Sequence, residues 1–82
     1  MNSDEILRRR TALNLTQQQL ADAVGVHQIT VHRWEAGKST PSGLALRLLE
    51  ETLERLEKDQ ARRAARRADY AARTRQNGNT VE

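Results

Sequence analysis

Residues 16–37, TQQQLADAVGVHQITVHRWEAG, constrain the fold most, because they contain two short amphipathic segments separated by one glycine. Thr16 and Gln19 have the spacing of a capping box, which predicts that a helix begins directly after Thr16. The apolar residues that then recur on one face at helical spacing are Leu20, Ala21 and Val24. Gly25 is predicted to end this helix, since glycine adopts the left-handed conformation at little cost.

A second helix is predicted over residues 28–36, ending at Gly37. Val31 and Trp34 are three residues apart and share one side of it, so we expect them to be buried. Two helices joined by so short a turn must cross steeply, and this arrangement is a helix-turn-helix unit.

The outer face of the second helix carries side chains suited to reading DNA. The residues that spread over this face at 100° per residue are Gln28, Ile29, His32 and Arg33. In the major groove, arginine pairs with guanine, glutamine pairs with adenine, and an aliphatic group packs on a thymine methyl. The alternative is an ordinary solvated helix with one exposed isoleucine, and the pattern alone leaves both interpretations open.

Residues 6–49 resemble the lambda-repressor/Cro-like, or XRE, family of helix-turn-helix regulators. The residues that carry the resemblance, with matching spacing, are Arg10, Leu13, the run 15–21 (LTQQQLA), the run 24–26 (VGV), the run 34–38 (WEAGK), Pro41 and Ser42. The resemblance implies an all-α fold and sequence-specific binding to double-stranded DNA, usually as a homodimer on a palindromic operator.

The resemblance also implies roles for single residues. It pairs Arg10 with Glu35 as a structural ion pair that clamps the first helix to the third, and it places Gln17 against a DNA phosphate. Three departures from the family pattern stand out. His27 replaces the usual Ser or Thr, Ala36 replaces the common Asn, and an Arg/Ala-rich stretch replaces the usual fifth helix.

Phosphate contacts are predicted around the reading face, as we call the outer face formed by Gln28, Ile29, His32 and Arg33. Cations, hydroxyls and amides there fix the position of the protein on the duplex without reading its sequence. The candidates are Gln17, His27, Thr30, Lys38, Ser39 and Thr40. His27 is expected either to cap the third helix or to meet a phosphate. His27 and His32 are five residues apart and are joined by no cysteine or third histidine, so we expect no metal site. Arg8 and Arg9 are expected either to be solvated or to reach a phosphate at the edge of the site.

The C-terminal half is predicted to be one long helix that begins near Thr40 and Pro41, with proline in its first turn. Leu46, Leu49, Leu53 and Leu56 alternate by three and four and form a seam for the core or for a partner. From this seam we expect Leu53 and Leu56 to contribute to a dimer. We expect the helix to project into solvent and end near residues 77–78, with residues 80–82 frayed.

Composition fits one small domain with a basic tail. Residues 1–57 carry 7 basic and 8 acidic side chains, whereas residues 58–82 carry 7 basic and 3 acidic ones. We therefore divide the chain into a DNA-binding domain (1–57) and a basic helical extension (58–82). The extension is expected either to touch phosphates, whose neutralisation releases counterions, or to be solvated.

The sequence excludes several classes of protein. It contains no cysteine, and it has neither an apolar run long enough to span a bilayer nor an apolar signal core near its start. We therefore expect a cytoplasmic protein without membrane contact. No catalytic residues and no cofactor are predicted, because no nucleophile with a base, carboxylate pair or phosphate-cradling glycine loop is present, so we do not expect an enzyme.

These observations predict a compact four-helix transcriptional regulator. We expect it to be a dimeric (auto)repressor that reads the major groove with residues 28–36. The alternative is an antitoxin-type protein that neutralises a toxin or other protein partner through its C-terminal helix while autoregulating its operon. A third interpretation is architectural DNA binding through the basic tail, with little preference among sequences.

Overall fold

The computed structural model describes the backbone of residues 1–81 and the side chains of residues 1–69. Within that part the chain forms four α-helices and no strand: α1 (Ser3–Ala12), α2 (Gln17–Val24), α3 (Gln28–Glu35) and α4 (Gly43–Val81). The all-α prediction, with a long C-terminal helix, is confirmed.

The helix ends follow from local side-chain chemistry. Asn2 begins α1, its Oδ1 accepting from the Glu5 amide at 2.8 Å, and Asn14 takes a left-handed φ of 58° beyond the end of that helix. Thr16 and Gln19 form the predicted capping box. Gly25 ends α2 with φ 93°, a backbone conformation that is strained for any residue with a side chain.

The core is aliphatic around one tryptophan. Its buried residues are Ile6, Leu20, Ala21, Val24, Val31, Trp34, Leu49 and Leu53. They come from all four helices, so α1 and the first turns of α4 complete the core of the helix-turn-helix unit, with α1 packed on α3 and α4 packed on α2. Trp34 is only 4% exposed, which confirms that it belongs to the core.

The start and the seam of α4 differ from the sequence prediction. The helix begins at Gly43 rather than in a turn containing Pro41, and Pro41 is buried ahead of it. Leu53 is fully buried within a single chain, so its predicted role in a dimer is wrong: no part of its side chain is free to meet a partner. Leu56 is half-buried, and its role in a dimer stays a prediction.

Two side-chain links tie α4 to α1. Arg9 donates to both carboxylate oxygens of Glu57, at 2.8 and 2.6 Å, and Gln60 donates to the Ala12 carbonyl at 3.1 Å. The expectation that Arg9 is solvated is therefore wrong, because α4 brings a carboxylate from 48 residues away against it. Arg8, in contrast, is exposed.

Past these links every described side chain of α4, from residue 61 to residue 69, is exposed. The proposed division after residue 57 falls within one continuous helix and stays a prediction. The predicted end of the helix near residues 77–78 is wrong, because the backbone of α4 is helical to Val81. The fraying of residues 80–82 stays a prediction. In the described part of the chain, no helix is both long and apolar enough to cross a membrane.

Candidate nucleic-acid interface

The outer face of α3 presents the four predicted base-reading residues to solvent. Because α3 turns by about 100° per residue, burying Val31 and Trp34 leaves the opposite face open. The exposed residues of that face are Gln28, Ile29, His32 and Arg33. Ile29 is 50% exposed although it is a large aliphatic residue, and α3 thus offers polar, cationic and apolar contacts on one surface.

Arg10 and Glu35 form the ion pair that the family resemblance implied. Arg10 donates from Nε and Nη2 to the two carboxylate oxygens of Glu35, at 2.6 and 2.9 Å. Its Nη1 donates to the Leu15 carbonyl at 2.7 Å, so one guanidinium joins α1, the end of α3 and the turn before α2. The side chains are 14% and 5% exposed, respectively, which shields the pair from water.

Two glutamines connect the ion pair by hydrogen bonds to the exposed outer face of α3. Gln17 donates from Nε2 to a carboxylate oxygen of Glu35 at 3.0 Å. Its side-chain oxygen Oε1 accepts from Nε2 of Gln28 at 3.2 Å. Arg10, Glu35, Gln17 and Gln28 thus form one relay of hydrogen bonds from the interior to the exposed face of α3. A side chain held by a hydrogen bond has less conformational freedom left to lose, so this relay restricts Gln28 on the exposed face of α3.

Burial and hydrogen bonding act in opposite directions on Glu35. Burial alone would raise its pKa, but the hydrogen bonds from Arg10 and Gln17, together with the electrostatic effect of the neighbouring Arg10 and His32, lower the pKa below its ordinary value of 4.5. The hydrogen bonds to Glu35 and its negative charge outweigh burial and raise the pKa of Arg10. Both groups are therefore charged at neutral pH, and the relay keeps its fixed donors and acceptors.

A polar loop borders the reading face where α3 ends. Gly37 adopts φ 74°, and the amides of Lys38 and Ser39 then donate to the Arg33 carbonyl at 2.9 and 3.3 Å. The side chains of Lys38, Ser39 and Thr40 are all exposed. The structure thus brings three predicted phosphate contacts together beside Arg33.

The other predicted phosphate contacts lie at the opposite end of α3. His27 occupies the position before the helix, but its side chain makes no capping hydrogen bond, so the suggestion that it caps α3 is wrong. The imidazole is exposed, and Thr30 is half-buried one turn into the helix. Gln17 lies nearby with both ends of its amide engaged in the relay, a role that the sequence analysis missed.

A sequence signal for the Gln17–Gln28 contact was present. Both residues stand at the first position of their helices, and the short turn of a helix-turn-helix unit brings those two helices against each other. Among residues 1–69, no three His, Asp or Glu side chains lie close enough together to hold a metal ion.

Comparisons with known proteins agree with this geometry. The model of a helix-turn-helix family matches residues 6–59, about two thirds of the chain. Among curated proteins, the type II methyltransferase M1.ScrFI of Lactococcus lactis subsp. cremoris is 46% identical over 44 residues. That match covers 50% of this chain but only 11% of the enzyme, so the chain spans about a tenth of its relative's length. No solved structure matches the chain significantly.

Proposed function

Because the chain belongs to this XRE-type helix-turn-helix family of DNA-binding transcription regulators, we propose that it binds specific sequences of double-stranded DNA and represses transcription by occupying a promoter. The observation that carries the proposal is the exposed face of α3, where Gln28 is held by a relay that begins at a buried ion pair. A surface helix without a recognition role gains little from such an arrangement, because ordering an exposed side chain costs conformational entropy.

Each residue of the reading face has a matching partner in the major groove. Arg33 donates two hydrogen bonds to guanine O6 and N7, and Gln28 pairs with adenine N6 and N7. Ile29 packs against a thymine methyl group, and His32 hydrogen-bonds to a base edge or a neighbouring phosphate. Together these four side chains read a half-site of a few base pairs.

The border of the face fixes the register on the duplex. The proposed phosphate contacts are Gln17, His27, Thr30, Lys38, Ser39 and Thr40. Gln17 acts through its backbone amide and that of Gln18 at the start of α2, a favourable anion site, because its side chain is already engaged in the relay. These contacts supply affinity that depends on salt but does not depend on sequence.

A single recognition helix of this length reads too few base pairs for useful specificity, so we propose a homodimer on a palindromic operator with half-sites about one DNA turn apart. Leu56, half-buried on α4, is the remaining candidate from the predicted seam. Sedimentation equilibrium of the full chain is expected to give a dimer at micromolar concentration. A Leu56→Gln variant is expected to shift it towards monomer, and an unchanged dimer excludes Leu56 from the interface.

One observation favours a second role for the same chain. The side chains of residues 61–69 are all exposed, so this segment of α4 offers an accessible surface to a partner protein. An antitoxin that neutralises a toxin through this helix and represses its own operon combines both roles. The test is co-expression with the product of the adjacent reading frame: rescue of growth by the full chain, lost when residues 61–82 are removed, supports it.

The match to the methyltransferase gives no reason to propose methyltransferase activity for this protein. The 44 matching residues form a small share of that enzyme, and they coincide with the DNA-binding unit here. We therefore propose a non-enzymatic regulator, acting in the cytoplasm without a cofactor.

Selection of bound sequences from random duplex DNA, with stoichiometry measured on the selected duplex, tests the proposal. We expect a palindromic consensus bound by two chains. Specific binding by regulators of this kind is typically about 10³-fold or more tighter than nonspecific binding. Recovery of unrelated sequences with no consensus contradicts specific recognition and leaves only architectural DNA binding.

A further inference from the structure

The extension of α4 beyond the core carries two arginine pairs with different surroundings. Arg63 and Arg67 line a surface groove of about 610 Å³, whose opposite wall includes Asn14 and Leu15 from the turn between α1 and α2. Arg62 and Arg66 are one residue earlier in each turn. They do not line this groove, because one residue rotates the side chain by about 100°.

The groove is linked to the exposed face of α3 through the start of α2. Leu15 accepts from Arg10, and α2 begins two residues later at Gln17. Gln17 in turn is hydrogen-bonded to Gln28 on the reading face. The surface that starts at the arginine-lined groove therefore continues over the first turn of α2 to the base-reading residues.

The direction of the extension is fixed rather than free. Glu57 forms a two-point ion pair with Arg9, and Gln60 donates to the Ala12 carbonyl. Arg63 follows Gln60 by less than one helical turn and Arg67 by less than two. The rigid α-helix thus carries both guanidinium groups past the end of α1 towards the turn that precedes α2.

Although Glu57, which is paired with Arg9, and Asp59 line the same groove, the two arginines of the groove have no direct carboxylate partner in the described part of the chain. Arg63 and Arg67 are exposed and form no ion pair or hydrogen bond there, and they are like charges four residues apart. Like-charged pairs at this spacing destabilise a helix. An anion with regularly spaced charges removes the repulsion, and the DNA backbone is such an anion.

We propose that Arg63 and Arg67 bind DNA phosphates and extend the interface from the first turn of α2 onto α4. The proposal rests on the proposed function, because it places the same duplex against both surfaces. Arg62 and Arg66 face away from this interface and make no phosphate contact.

The test compares two double variants that remove the same charge from the same helix. Arg63→Gln with Arg67→Gln removes the proposed contacts, and Arg62→Gln with Arg66→Gln is the matched control. Glutamine is a good helix former, and circular dichroism verifies that both variants keep the wild-type helix content. Affinity is measured between about 50 and 200 mM KCl, on the duplex obtained by selection and on an arbitrary duplex of equal length.

Each phosphate contact contributes about 0.9 to the slope of log K against log salt. The 63/67 variant is expected to flatten the slope by about 1.8 per bound chain, and the control by less than half as much. Equal flattening in the two variants overturns the proposal, since it reports only the overall field of the helix. No flattening also overturns it and leaves the arginines available to an acidic protein partner.

The two proposals fail in different ways. If selection yields no consensus, sequence-specific recognition fails, whereas the slope on the arbitrary duplex still decides whether Arg63 and Arg67 touch phosphate. If a consensus emerges and the 63/67 variant keeps the wild-type slope, only the present proposal fails.

Discussion

The globular part, residues 1–60, and the extension, residues 61–69, use the same residue type for opposite purposes. In the globule, Arg9 and Arg10 each grip a carboxylate from a distant segment with two hydrogen bonds. In the extension, arginines on consecutive turns are exposed. A cation whose partner is built into the fold acts as a structural clamp. A cation without one is available to an external anion, so the two regions predict different responses to substitution.

The largest expected effect is the loss of the core tryptophan. Trp34→Ala removes the largest side chain of the buried cluster, and truncation of a buried tryptophan typically costs about 3–5 kcal/mol. The total free energy of unfolding of so small a domain is little larger than this cost, and the variant is therefore expected to unfold. The measurement is thermal unfolding followed by circular dichroism, and a cooperative melt near the wild-type temperature contradicts the core assignment.

Substituting one arginine in each region compares them directly. Arg10→Ala leaves the Glu35 carboxylate, 5% exposed, without its cation, and breaking a buried ion pair in this way costs about 3–5 kcal/mol. Arg62→Ala changes an exposed residue and is expected to alter the free energy of unfolding by about 0.5 kcal/mol or less. Urea unfolding measures both, and equal destabilisation by the two variants contradicts the distinction between clamp and available cation.

Acid is expected to weaken the globular part through its paired carboxylates. The folded pKa of Glu35 and of Glu57 lies below the ordinary value of 4.5, in both cases because their arginine partners favour the ionised form. A depressed folded pKa gives stability that is complete above the unfolded value and is lost as pH falls through the folded value. Urea unfolding is therefore expected to change little from pH 7 to about 5 and to become easier below about 4.5.

A carboxylate titration by NMR locates this effect. Glu35 is expected to titrate with a midpoint below 4.5, and a midpoint at or above that value shows that burial outweighs the hydrogen bonds from Arg10 and Gln17.

The smallest expected effect is that of removing the extension. A chain ending at Gln60 keeps the whole buried cluster and both links to α1, so its free energy of unfolding is expected to stay within about 0.5 kcal/mol of the full chain. A chain ending at Leu56 also loses Glu57. Loss of its partly exposed ion pair with Arg9 is expected to lower the free energy of unfolding by about a further 1 kcal/mol or less. Unfolding of the chain that ends at Gln60 contradicts the assignment of residues 61–69 as an independent extension.

Local features of the fold could be predicted from the sequence because they depend on neighbours in the chain. The Thr16–Gln19 capping box and the left-handed Gly25 are set by residues within one turn, and both predictions are confirmed. The same holds for the exposed face of α3, which follows from helical periodicity and the burial of Val31 and Trp34. The Arg10–Glu35 pair was implied only by the family resemblance.

The incorrect predictions concern contacts that depend on how helices dock. The pairing of Arg9 with Glu57 requires the position of α4 along α1, which no local pattern specifies. Leu53 was expected at a dimer contact because a leucine seam serves a core or a partner equally well, and only the packing shows that it is fully buried. The start of α4 was predicted too early, since a proline suits the first turn of a helix and a preceding turn alike.

The central claim, that α3 reads base sequence, is tested most directly by the specificity profile of Arg33→Ala, with Lys38→Ala as the control on the neighbouring loop. Affinities for the selected duplex and for all its single base-pair variants are measured at one salt concentration. Arg33→Ala is expected to lose discrimination at one base pair of each half-site, worth about 1–3 kcal/mol, while the other positions keep their preferences. Lys38→Ala is expected to weaken all duplexes alike and to flatten the salt dependence. Uniform weakening by Arg33→Ala, with every base preference retained, would contradict base reading and place Arg33 on a phosphate.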